Sequence, residues 1–205
     1  MKKGSKTPTF SVEIPLLASP TEEGVVLARL EAARQVINAC LGESLRRLSL
    51  FRQSKSFQAA RAMSKGEKRT SAFKEANKAH GFREYDLHAY AKQFGHSWVG
   101  EHLDSLTIQA LASRAFRSVE RHAFGEAGRP RFKGYGQVDS VQGKNNSAGI
   151  RWRDGRVEWF GLLLKAVIDP KDRVIAHGLK RESFSAILTA NGGRTIRRTT
   201  IRTVP

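Results

Sequence analysis

The chain has 205 residues, 36 Lys and Arg against 19 Asp and Glu, a net charge of +17 and a pI near 10.7. Such an excess repels itself in a compact fold and points to a polyanionic partner. No apolar run approaches the roughly 20 residues that span a bilayer, no apolar stretch follows the basic N-terminus to make a secretory signal, and the single cysteine, Cys40, excludes an internal disulfide and fits a reducing cytoplasm.

Residues 9–17 alternate, with Phe10, Val12, Ile14 and Leu16 on one face, and predict a half-buried strand that Pro15 places at an edge or bulge. Ser19-Pro20-Thr21-Glu22-Glu23 is a helix start, a hydroxyl cap followed by acids. A long helix is expected from about Thr21 to Phe51, with Val26, Leu30, Ala33, Ile37, Leu41, Leu45 and Leu48 as its apolar stripe. Residues 54–81 are basic and poor in apolar residues, and predict one or two short helices. Further helices are expected over Glu84–Gly95 and Asp104–His122, the second capped by Asp104.

Gly125, Gly128, Pro130, Gly134, Gly136 and Gly143 then exclude helix. After them come short β-prone segments at 137–141, 149–152, 156–159 and 162–168, with Asp154-Gly155 as a two-residue hairpin turn. A lone N-terminal strand needs partners. The simplest plan is an α+β chain: one β-domain built from both ends, with a helical domain inserted.

The charge falls in three blocks. Arg46–Arg69 holds eight cations (Arg46, Arg47, Arg52 and Lys55 first among them) and one acid; Arg129–Arg156 holds seven cations, Lys144 included, and two acids; Lys171 to the end holds eight and two. In Gly128-Arg129-Pro130-Arg131-Phe132-Lys133-Gly134, extended spacing points Arg129, Arg131 and Lys133 the same way, while Phe132 faces a core or stacks on a base. The competing reading is a solvated basic loop. In the hairpin Gly149–Trp159, Arg151, Arg153 and Arg156 can meet phosphates. Trp152 and Trp159 can form a stacking platform or pair across strands as core. The histidines show no HExxH spacing, the carboxylates sit at caps and turns, and no phosphate loop or nucleophile elbow occurs, so neither a metal, a cofactor nor a catalytic residue is expected.

Residues from about Glu31 to Leu179 resemble the TnpB (OrfB) family of insertion-sequence proteins and the related small type V CRISPR effectors. The stretches that carry the resemblance are Glu31–Gly42, Phe82–Phe94, the helix through Arg114–Arg117, and above all Gly128–Gly134 followed by the Gly149–Trp159 hairpin. The resemblance implies a wedge-type, OB-like β-barrel formed from both ends of the chain. Residues 1–20 would give its first strand, 21–127 an inserted helical recognition domain and 128–180 the remaining wedge strands. It implies guide RNA and double-stranded target DNA as partners, and a prokaryotic, cytoplasmic, nucleoid-associated protein. The family's RuvC-like nuclease would follow, but no Gly-x-Asp-x-Gly motif and no zinc-ribbon cysteines occur. Residues 181–205 carry five arginines, five threonines and no acid after Glu182. They read as a frameshifted, truncated or basic tail, loosely attached or disordered. The expected function is a binding scaffold without its own nuclease. Two alternatives stand beside it: a subunit whose nuclease half is a separate chain, and a general basic DNA-binding protein of transposition.

Overall fold

The computed structural model describes residues 11–143, 149–169, 171–172, 184–191 and 195–203. Strand β1 (Ser11–Leu17) leads into helix α1 (Pro20–Gln53), which starts one residue before the expected Thr21 and runs past Phe51. A capping box starts α1. The Glu22 amide donates to Ser19 Oγ (3.4 Å) and the Ser19 amide donates to Glu22 Oε2 (2.7 Å). Helices α2 (Lys55–Ala62), α3 (Glu67–Ala79) and α4 (Glu84–Ala91) follow, then two short 3₁₀ turns and α5 (Ser105–Ala123). Asp104 caps α5, its Oδ1 accepting from the amides of Leu106 (3.0 Å) and Thr107 (2.9 Å).

Strands β2 (Ser140–Gln142), β3 (Ile150–Arg153), β4 (Arg156–Trp159), β5 (Leu162–Ala166), β6 (Phe184–Asn191) and β7 (Thr195–Thr203) join β1 in one antiparallel sheet of order β2-β6-β7-β1-β5-β4-β3. The fold is mixed α+β. The sheet takes strands from both sides of the helical run, and among the described residues it is open, with β2 and β3 as its edges. Gly143, just after β2, lies so close to β3 that a Cβ there would sit 2.6 Å from the Ile150 carbonyl oxygen.

The structure corrects the expectation of a disordered tail. Most of the basic tail is sheet: β6 and β7 form a hairpin, and β7 pairs with β1 from Ser11↔Arg202 to Pro15↔Arg198. Sparse apolar residues suggested disorder, but the segment is dominated by threonine, isoleucine and other strand-favouring types, and its backbone groups complete ladders on both sides.

One buried core runs through helices and sheet alike. The expected stripe of α1 is buried at Val26, Leu30, Ala33, Ile37, Leu41 and Leu48. Cys40 lies in it, fully buried, and burial pushes its thiol up to about 12. Its reaction with an aromatic disulfide reagent at pH 8 will therefore be negligible in the native chain and will follow global unfolding as urea is added.

Arg29 ties α1 to the sheet. It is buried and donates through Nη1 to the Trp159 carbonyl and through Nη2 to the Phe160 carbonyl (2.8 Å), with its guanidinium 5.1 Å from the Trp159 ring centroid. Phe160 and Gly161, the two turn residues between β4 and β5, both have positive φ (46° and 81°). That is costly for phenylalanine, so the turn depends on the arginine holding its carbonyls. Arg29→Met will leave both acceptors unmet and lower unfolding free energy by roughly 2–4 kcal/mol, measured by urea denaturation.

Candidate nucleic-acid interface

Helix α1 turns its buried stripe inward, and the opposite side carries Arg34, Asn38, Gly42 and Arg46 at four-residue steps. The Arg129–Lys133 segment lies along this side. Asn38 clasps the Lys133 backbone with a reciprocal pair: the Lys133 amide donates to Asn38 Oδ1 (2.8 Å), and Asn38 Nδ2 donates to the Lys133 carbonyl (2.8 Å). Arg34 Nη1 donates to the same carbonyl (3.0 Å), and the Gly134 amide donates to Gln137 Oε1 (2.8 Å). One turn along α1 from Asn38, Gly42 sits under the Phe132 ring, whose atoms would be 3.6 Å from a Cβ at that position.

The clasp uses backbone and leaves side chains outward. Arg129, Arg131 and Lys133 are exposed, and among the described residues none has an acidic partner. Phe132 is 58% exposed and Tyr135 86%. Three cations and two aromatics stand along a segment whose main chain is held at Lys133 and Gly134. Such a ledge can pair with successive phosphates and stack bases, and the clasp at Lys133 reduces the entropy lost in ordering it.

No protein-family model matches this chain, and no curated protein matches it. The site rests on its own geometry.

The other sequence-predicted residues fall into distinct groups. Arg46 is exposed on the same side of α1, one turn beyond Gly42, and holds Glu43 with two bonds (2.7 and 2.8 Å). Arg47 is mostly buried; it bonds Glu43 (2.6 Å) and the Gly81 carbonyl (2.9 Å) and lies 6.0 Å from the Tyr90 ring. Those bonds hold Glu43 well below the ordinary carboxylate range, at about 2, the Arg46 bond contributing most. Arg52 donates to the Ala123 carbonyl (3.0 Å) at the C-terminal end of α5, a favourable place for a cation. Lys55 is exposed at the start of α2. Lys144 lies outside the described residues.

On the sheet, β3 and β4 pair as Arg151↔Glu158, Trp152↔Val157 and Arg153↔Arg156. Trp152 is only 7% exposed and Trp159 1%, both on the inner face, so the stacking-platform expectation for Trp152 is corrected in favour of core. Burial alternates along these strands, and the period-2 pattern sends the tryptophans inward and the arginines outward. Arg151 reaches Glu158 at 3.1 Å and Arg153 the same acid at 4.0 Å. Arg156 is exposed and stands in register with both Arg153 and Lys165. A lateral row of Arg153, Arg156 and Lys165 sets like charges directly opposite one another, which costs stability.

Sequence reasoning missed Arg34 and Asn38. Their signal was the four-residue polar spacing opposite the apolar stripe of α1. It also missed Lys165, legible as the outward position of the alternating segment Leu162–Ala166. Among the described residues, no group of three His, Cys, Asp or Glu side chains is placed to hold a metal ion, and no helix is long and apolar enough to cross a membrane.

Proposed function

We propose that this chain is a nucleic-acid-binding scaffold of TnpB-like type, holding a guide RNA and, with it, a double-stranded DNA target. The observation that carries the reading is the Arg129–Lys133 ledge: exposed cations and aromatics on a backbone clasped by Asn38 and Arg34. The stretch that forms it is the most specific part of the TnpB resemblance. On this reading the sheet is the wedge-type, OB-like β-domain and residues 21–127 are the recognition helices. The reading gives the chain binding and not cleavage. Two-metal nuclease chemistry needs clustered carboxylates, and a separate nuclease chain would have to supply them.

The test is co-expression with the DNA flanking the gene, purification at moderate salt, and sequencing of the nucleic acid retained. A single structured RNA species is the expected result. Heterogeneous fragments of DNA would instead favour a general basic DNA-binding protein of transposition, and a preparation free of nucleic acid would overturn both readings.

A further inference from the structure

The outer face of the sheet divides into two halves. Burial alternates along β1, β4 and β5. The outward positions are Pro15 and Leu17 on β1, Arg156 and Glu158 on β4, and Leu163 and Lys165 on β5, with Val167 continuing the line of β5. The ladders fix which of these stand side by side. Leu17 pairs with Lys165, Lys165 with Arg156, and Arg156 with Arg153. Leu163 pairs with Glu158, and the Val167 amide donates to the Pro15 carbonyl (2.8 Å). Leu17 is therefore the diagonal neighbour of both Leu163 and Val167. The β1–β5 half is an aliphatic strip, and the β4–β3 half, one or two strand spacings away (about 5–10 Å), is cationic.

The strip is open. Leu17 is 57% exposed, Leu163 50% and Val167 47%, while their inward neighbours Leu16, Leu164 and Ala166 lie in the core. Among the described residues only one other leucine, isoleucine or valine, Leu50, is as open to solvent, so these side chains are gathered and not scattered. Single apolar residues are ordinary on a surface, whereas a contiguous strip rimmed by charge marks an interaction site.

The cations beside the strip are not all used within the chain. Glu158 is held by Arg151 (3.1 Å) and Arg153 (4.0 Å), which leaves Arg156 and Lys165 with no acid at ion-pair distance among the described residues. Aliphatic side chains have no ring to stack on a base, and phosphates offer them no apolar surface, so this face does not continue the Arg129–Lys133 ledge. A second copy of the chain would bring the same cations, and a net charge of +17, against them. Both halves are satisfied by a polypeptide with an apolar stripe and carboxylates along one flank. A helix about 10 Å across, laid along β1 and β5, spans the two.

We infer that the outer face of β1, β5 and β4 docks an acidic amphipathic helix of another protein, its apolar stripe on Leu17, Leu163 and Val167 and its carboxylates on Lys165 and Arg156. This goes beyond the nucleic-acid reading and does not depend on it.

The test titrates the full chain into three labelled helical peptides of roughly 18 residues. The first carries leucine on one face and glutamate along its flank; the second has lysine for those glutamates, and the third serine for the leucines. The first will bind at about 150 mM salt, and the other two at least roughly tenfold more weakly. Leu17→Thr with Leu163→Thr keeps strand-favouring side chains and will weaken the first peptide roughly tenfold, with circular dichroism and RNA affinity unchanged. Val167→Thr alone will give a smaller loss in the same direction, and it decides the matter if the double variant does not fold. Arg156→Gln with Lys165→Gln will narrow the preference for the glutamate peptide over the lysine one. Equal affinity for the leucine and serine peptides overturns the docking face, as does an affinity that the threonine substitutions leave unchanged; either result makes the binding a plain attraction of opposite charges. An RNA affinity that falls with the threonine pair in a folded chain overturns it in favour of nucleic acid. A dimer in sedimentation that the same pair dissolves overturns it in favour of a second copy.

Discussion

Affinity for RNA will fall steeply with salt, and most of that dependence in the Gly128–Gly134 region will vanish when Arg129, Arg131 and Lys133 are replaced together by alanine. Roughly 6–10 neutralised phosphates correspond to about a 10³–10⁵-fold loss of affinity between 50 and 200 mM salt. Removing three cations should lower the slope of log affinity against log salt by roughly 2–3. The fold should be untouched, because the bonds that fix this segment run from Asn38 and Arg34 to the main chain of Lys133 and survive the substitution. Asn38→Ala is the complementary experiment. It leaves every cation in place and frees the ledge, so affinity should drop while the salt slope stays the same. The two variants separate charge from preorganisation. A salt response that is flat in the unsubstituted chain, measured by fluorescence anisotropy, would remove the polyanion as partner.

The helices were legible because their signals are local. The α1 stripe repeats at three and four residues, Ser19 and Asp104 sit where caps belong, and each of these features is found in place. The β3–β4 hairpin was legible for the same reason: Asp154-Gly155 is a turn that positive φ at both residues requires (47° and 73°), and both are found there. Charge was legible in amount and not in use. Arg47, Arg52 and Arg131 look alike in sequence, yet Arg47 braces Gly81, Arg52 closes the end of α5 and Arg131 has no acidic partner among the described residues. What separates them is which carbonyl or carboxylate a distant segment brings near. The Phe160-Gly161 turn was illegible on similar grounds. Phenylalanine is a poor residue for positive φ, and Arg29, far away in sequence, supplies what makes it tolerable.

Truncation just before Phe184 will unfold the sheet rather than trim a tail. Strands β6 and β7 lie inside the order β2-β6-β7-β1-β5-β4-β3, so removing them detaches β2 at one edge and strips β1 of its long partner. The register from Ser11 to Pro15 against Arg202 to Arg198 would be lost, leaving β1 only its short pairing with β5 at Leu16↔Ala166 and Leu17↔Lys165. Ile14 and Leu188, both fully buried, would be exposed or absent, and so would Val141, which pairs with Leu188. Burying side chains of this size stabilises by about 1.5–3 kcal/mol each, so losing three approaches the whole stability of a small domain. The shortened chain should therefore lose its cooperative thermal transition and bind a hydrophobic dye, although α1 can keep part of its helical signal. Limited proteolysis of the full chain gives the same answer from the other direction: resistance between 184 and 203 comparable to that of α5 is the expected pattern. Rapid cutting within β6 or β7, with the remaining fragment melting at the temperature of the intact chain, would return this segment to the role of a dispensable basic arm.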